Sequence, residues 1–196
     1  MTESSPDPNG VANVVAKVAE RLSSQRVFSG RVFAVHSEQV RLPNGAETKL
    51  DVIRHPGATC IVPLTGEDDV LLVRQYRYCA GGWMLEVPAG TLEPGEELEA
   101  CARREVEEEA AVRAEHLHAL GFIWTTPGFT DERIWIYVAT GLSASQQNLD
   151  ADESMSVERL PLARAVAMAE SGEITDAKSI AALMRVAAWV RAGRPA

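Results

Sequence analysis

Four glutamates fall within the five positions 105–109: Glu105, Glu107, Glu108 and Glu109, interrupted only by Val106. Two like charges 4 Å apart repel by about 1 kcal/mol in water and by ~4 kcal/mol at an effective dielectric of about 20. On a helix turning 100° per residue, Glu105, Glu108 and Glu109 share one face, while Glu107 points away and should tolerate substitution by Gln. Ala102, Val106 and Ala110 recur at four-residue spacing and form an apolar stripe alongside. One flank of the helix is therefore suited to docking on a sheet, and the next concentrates carboxylates. Such a face is either a solvated acidic surface or a site whose repulsion is relieved by cations. Arg103 and Arg104 provide part of that relief, Arg104 standing four residues before Glu108. A divalent ion would provide more, and Mg2+ takes a few carboxylates together with water and substrate phosphates.

The flanks make the pattern more specific. Gly90, five residues, Glu96, seven residues, then Arg104-Glu105-Val106-x-Glu108-Glu109 resembles the signature of the Nudix hydrolases. The family pattern continues with a glycine where this chain has Ala111, a departure that touches the helix exit rather than the carboxylates. The resemblance implies Glu105 and Glu109 as principal Mg2+ ligands (Mn2+ being the alternative ion), assisted by Glu108. The backbone carbonyls of Ala89 and Gly90 would face the metal, and Arg104 would hold the glutamates in place. The spacing agrees with the physics: Pro94-Gly95 suits a tight turn, and Glu96 then meets the positive end of the helix dipole.

Downstream, TTPGFTDER places Pro127 sixteen residues beyond Ala111. With LLVRQYR, MLEVPAG and GEITDAKS, this resembles the ADP-ribose pyrophosphatase subgroup, over residues 25–190. The implied reaction is hydrolysis of ADP-ribose to AMP and ribose 5-phosphate. An anionic substrate needs cations, for which Arg54, Arg74 and Arg77 are candidates; Arg74 and Arg77, three apart on a strand, face opposite sides. An adenine needs a flat partner, for which Phe129, Trp83, Phe28 and Phe33 are candidates. Phe129 is preferred because it shares the loop with Pro127, and loops carry binding residues. Relatives often carry the general base in a later Glu-x-Glu. Here Ala151 replaces the first of those glutamates and Glu153 matches the second, a metal ligand in the pattern. The base is then Asp150, Asp152 or Glu153, or Glu132 of the TDE segment. Ala151 and Ala111 together motivate an alternative, a nucleotide-binding sensor of the same fold with impaired chemistry.

These residues need elements to position them. Residues 1–24 read as a polar tail followed by a short helix over 11–23. Alternation around a Pro-Asn-Gly turn gives an antiparallel β-lobe over 25–54. TCIVPLT and DVLLVRQYR read as a hairpin, WMLEVPAG as a strand ending in Pro-Ala-Gly, 97–111 as the acidic helix, and FIWTTPGFTDERIWIYVAT as strand–loop–strand. Residues 143–156 read as loop, and two closing helices follow, with Pro161 in a first turn and Gly172 and Gly193 at helix ends. The order suggests an α+β sandwich, which the resemblance sharpens to a Nudix-type α/β/α sandwich of mixed sheets over 55–196. The early β-lobe has few apolar partners of its own and is expected to dock on a second subunit, giving a homodimer.

Composition narrows the function. Net charge is −9 over 196 residues, which argues against a nucleic-acid or anionic-membrane partner; it is compatible with a small anionic substrate, such as the small-molecule nucleotide sugar that the resemblance implies, provided cations neutralise the site. Three cysteines without a CxxC pair, and no apolar run long enough to span a bilayer, suggest a reduced, cytoplasmic protein.

Overall fold

Strand β4 (Ala58–Pro63) is buried along its whole length. A strand covered on both faces reads as a continuous apolar run rather than an alternating one, and its neighbours show why. The order in its sheet is β7 (Ala89–Thr91), β4, β9 (Arg133–Ala144), β8 (Val112–Trp124). The β4–β9 pair is parallel, and the β7 and β8 pairings are antiparallel. Ile61, Tyr137 and Ala139 meet Ala102, Val106 and Ala110 of helix α1 (Leu98–Ala110). On the opposite face, Cys60, Val62, Ile136 and Val138 pack with Leu183 and Val186 of α3 (Ala177–Arg191). The same cluster takes in Ala165 of α2 (Leu162–Ser171) and Val70 and Leu72 of β5 (Asp69–Arg77). The two-residue period of a strand sorts these side chains between the two helical layers. Val106, fully buried, contributes about 1.5–3 kcal/mol to holding α1 in place.

A second sheet has the order β10 (Met155–Pro161), β5, β6 (Gly82–Glu86). The whole is the expected α/β/α sandwich of mixed sheets. A separate antiparallel sheet, β1 (Glu20–Ser29), β2 (Ala34–Arg41) and β3 (Glu47–Arg54), forms the N-terminal lobe. The turn between β2 and β3 runs through Gly45, whose φ of 86° favours glycine. The lobe meets the loop before β9 through Ile53 N–H to the Phe129 carbonyl (2.8 Å) and Asp131 N–H to the Ile53 carbonyl (3.2 Å). The computed structural model describes residues 18–149 and 154–194. Among these, no helix is long and apolar enough to cross a membrane, and Cys60, Cys79 and Cys101 are free thiols.

Several local expectations need correction. Residues 20–23 belong to β1, not to a helix; residues 11–17 lie outside the described region. β1 pairs with β2 along its length, Arg26 opposite His36 and Ser29 opposite Ala34, and that ladder overrides the helical spacing of the local sequence. The lobe thus begins at Glu20 rather than residue 25. β4 and β5 are not a hairpin. They enter different sheets, joined by one antiparallel bridge, Leu64–Val70, because the turn at Thr65–Asp69 carries the chain from one layer to the next. WMLEVPAG likewise splits into β6 and β7, in different sheets. Residues 155–161, read as loop and helix start, form β10, with Pro161 as its last residue and the N-cap of α2.

Candidate active site

Helix α1 begins after the Pro94-Gly95 turn, where Gly95 has φ 81° and Glu96 N–H donates to the Glu93 carbonyl at 3.0 Å. Its apolar stripe lies against β4 and β9, which turns the adjacent face toward the end of β7. Glu105 and Glu109 are largely buried. With Glu108 they line a cavity of about 440 Å³ together with the backbone of Ala89 and Gly90 and the side chains of Arg77 and Arg104. Seven candidate site residues therefore share one cleft. Two more lining residues had no local signal: Arg31, from the β1–β2 turn, and Asn148, beyond β9. Their position depends on how distant segments pack, which spacing along the chain does not report.

Contacts around the cleft are close. Ala89 N–H donates to Glu109 Oε2 at 2.8 Å. Arg104 grips Glu96 with its Nε–Nη2 edge, Nε to Oε1 and Nη2 to Oε2, each at 3.0 Å. Its Nη1 donates to Glu105 Oε1 at 2.5 Å and to Glu108 Oε2 at 3.3 Å. One guanidinium thus offsets the repulsion among three glutamates. The Arg104 hydrogen bonds hold the Glu96 carboxyl down at about 2, and the Arg104 pKa is raised in turn. Beneath the site, the Cys101 thiol donates to the Gly90 carbonyl at 3.7 Å and accepts from Thr59 Oγ1 at 3.2 Å. Burial pushes this thiol up to about 11, so it stays a neutral packing group.

At the helix exit, alanine takes the left-handed conformation that the missing glycine would adopt. Ala111 adopts φ 56°, ψ 34° and donates its N–H to the Glu107 carbonyl. Glu107, expected to point away from the acidic face, accepts from Arg113 Nε at 2.8 Å and from Ser145 Oγ at 2.7 Å. Asn148 N–H and Gln147 Nε2 donate to the Glu108 and Glu109 carbonyls, at 3.0 and 2.8 Å. Residues 145–148 thus satisfy carbonyls that the helix end would otherwise leave open.

Other candidates lie elsewhere. Arg54 bridges Glu38 (2.6 Å) and Asp131 (2.8 Å). It lines a second, more apolar cavity with Leu50, Val52, Trp124, Pro127 and Phe129. Arg74 does not face the acidic cleft: it is paired with Glu158 of the adjacent β10, as the strand alternation requires. Glu132 is also outside the cleft, accepting from Thr125 Oγ1 at 2.8 Å with His55 Nδ1 at 3.6 Å. Phe28 lines neither cavity within this chain. It lies on the exposed β1 with its ring 6.1 Å from that of Phe33. Asp150, Asp152 and Glu153 lie outside the described residues.

The oxygen donors suit a hard divalent cation: three carboxylates on one helix face, opposite the backbone of Ala89 and Gly90. Among the described residues no three ligating side chains are gathered as a cage; Arg104 contacts Glu105 and the Ala89 N–H contacts Glu109.

A mixed α/β/α sandwich with a carboxylate-bearing helix over a Gly-containing strand end is the architecture of a metal-assisted hydrolase. The NUDIX domain model matches residues 54–183, and the chain belongs to that family. It is 37% identical over 164 residues to an ADP-ribose pyrophosphatase of Bacillus subtilis (strain 168), covering 83% of this chain and 89% of that one. It is 38% identical, with the same coverage, to a methanol dehydrogenase activator of Bacillus methanolicus. A crystal structure of an ADP compounds hydrolase superposes with a TM-score of 0.78 at 26% identity, over 91% of this chain and 98% of that chain.

Proposed function

We propose that this hydrolase cleaves the diphosphate of ADP-ribose, or of a related nucleoside-diphosphate sugar, consuming one water and releasing AMP and ribose 5-phosphate. The observation that carries the reading is the gathering of Glu105, Glu108, Glu109, Arg77 and the Ala89–Gly90 backbone in one cleft, in a chain 37% identical to an ADP-ribose pyrophosphatase. Glu105 and Glu109 would hold the divalent ion, Mg2+ by preference and Mn2+ as the alternative, with Glu108 and the Ala89 and Gly90 carbonyls assisting. When bound, the ion screens the diphosphate and stabilises the leaving phosphate.

Arg77 binds a phosphate oxygen, and Arg104 keeps the carboxylates apart and oriented. The proton of the attacking water passes to a carboxylate, Glu108 or one of Asp150, Asp152 and Glu153. Arg54, Pro127 and Phe129 form the nucleoside end of the site. Because β1 is exposed throughout, with Val27 and Phe28 more than half exposed, we infer that the lobe packs on a second copy. The active protein is then a cytoplasmic homodimer, with Phe28 brought toward the partner's site.

Incubation with ADP-ribose and Mg2+ should yield AMP and ribose 5-phosphate. Absence of AMP, with turnover of another nucleoside-diphosphate compound instead, sinks the substrate assignment. Light scattering should give twice the chain mass. A second reading comes from the Bacillus methanolicus relative, whose name assigns it to dehydrogenase activation; adding this chain to a methanol dehydrogenase assay tests it. The sensor reading loses one of its motives, since Ala111 keeps the helix exit intact.

A further inference from the structure

The segment GEITDAKS places Asp176, Lys178 and Ser179 at the N-terminus of α3, and the hydrolytic reading leaves these residues without a task. They converge on the strand that leads into the cleft. Glu86, at the end of β6, is 1% exposed. It accepts from Arg77 at both oxygens, Nε to Oε1 at 2.9 Å and Nη2 to Oε2 at 2.8 Å, and from Lys178 Nζ as well. Lys178 also donates to Asp176 Oδ2 at 2.9 Å. The same Asp176 oxygen caps α3 by accepting from Ser179 N–H at 2.9 Å and Ser179 Oγ at 2.5 Å. Ser179 Oγ in turn accepts from Val87 N–H at 2.8 Å. Two residues on, Ala89 donates to Glu109.

Lys178 is one of three lysines in the chain, with Lys17 and Lys49, and its side chain is 12% exposed. Burying an ammonium is costly unless it is paired and hydrogen-bonded, so its placement calls for a reason. Arg77 commits its Nε–Nη2 edge to Glu86 and also lines the cleft. A bidentate carboxylate partner fixes the guanidinium but cancels its charge. Lys178 restores the balance: two cations face two acids, Glu86 and Asp176, and the cleft keeps the benefit of Arg77. Without the ammonium, a net negative charge would stand beside a site already carrying three glutamates.

We propose that Lys178 is a positioning residue for diphosphate binding, neutralising the buried Glu86 so that Arg77 is both oriented and cationic toward the anion. The inference rests on the hydrolytic reading above only in the choice of ADP-ribose as substrate. Lys178→Met, Lys178→Arg and the double variant Glu86→Gln/Lys178→Met test it, with inorganic pyrophosphate in Mg2+ buffer as the calorimetric probe. Lys178→Met should weaken pyrophosphate binding about tenfold and raise KM for ADP-ribose by a similar factor, with kcat within about twofold. Lys178→Arg should be near wild type. The double variant should regain most of the affinity, because Arg77 is then no longer neutralised.

A loss below threefold in Lys178→Met overturns the proposal, as does a double variant that binds no better than Lys178→Met. If Lys178→Met fails to fold by circular dichroism, the charge-balanced double variant decides. Pyrophosphate affinity within threefold of wild type supports the proposal, and a larger loss overturns it. If wild type leaves ADP-ribose intact, the substrate assignment falls alone, and the pyrophosphate ratios still judge Lys178.

Discussion

The Glu105 carboxylate lies against Cα of Gly90: a methyl placed there would sit 1.7 Å from Oε1 and 1.9 Å from Cδ. Glycine at this position is needed for close approach, its φ being unexceptional. The Glu105 carboxylate can rest here only if residue 90 has no side chain. Gly90→Ala must push Glu105 out of the cleft, and misplacement of a catalytic group by about 1 Å costs on the order of 10²-fold. Steady-state kinetics should show at least that loss in kcat/KM, while circular dichroism shows a retained fold.

Glu109→Gln keeps the size of the side chain and an acceptor for the Ala89 N–H, but removes the charge. We expect metal affinity to fall by at least about tenfold, measured by Mn2+ titration, with little change in melting temperature. Wild-type affinity in this variant would remove Glu109 from the ligand set.

Ala111 pays for a left-handed backbone that glycine adopts freely. Ala111→Gly should raise unfolding stability by about 1 kcal/mol, read as a higher urea midpoint at unchanged slope. Activity should be unaltered, since the carboxylates lie on the preceding turn.

Glu107→Ala removes the acceptor for Ser145 and Arg113 and should cost about 1 kcal/mol. Hydrogen exchange should show faster amide exchange at Ser145 and Asn148, whose N–H groups tie residues 145–148 to the end of α1. The helical wheel placed Glu107 away from Glu105, Glu108 and Glu109; the partners it finds there are Arg113 and Ser145.

Acid should weaken the Glu96–Arg104 pair in a defined window. The folded Glu96 carboxyl lies at about 2, below its ordinary 4.5, chiefly through the Arg104 hydrogen bonds. Its contribution is complete above about pH 4.5 and fades as the pH falls toward 2. The stability difference between wild type and Glu96→Gln should therefore be flat from pH 7 to about 5 and shrink toward zero by about pH 2.

What could be read from the chain depended on the range of the interactions. The apolar stripe of α1 and the crowding of Glu105, Glu108 and Glu109 are local, so the helix, its buried face and the acidic edge follow from spacing. Strand existence was also local: β4 and β5 are visible as apolar runs. Which sheet each joins was not, because alternation carries no information about distant partners. β1 failed for the related reason that residues 20–23 become strand only by pairing with β2. β10 was hidden because it becomes strand only by pairing with the distant β5. Arg31 and Asn148 reach the cleft from segments far from the glutamates, and Glu86 meets Lys178 across 92 positions.

Arg104 ties Glu96, Glu105 and Glu108 to one another through the protein's own contacts. The carboxylate face is thereby braced by a cation that is part of the chain. Enzyme stripped by a chelator should keep its melting transition nearly unchanged, and catalysis should return within mixing time on adding Mg2+, with no refolding lag.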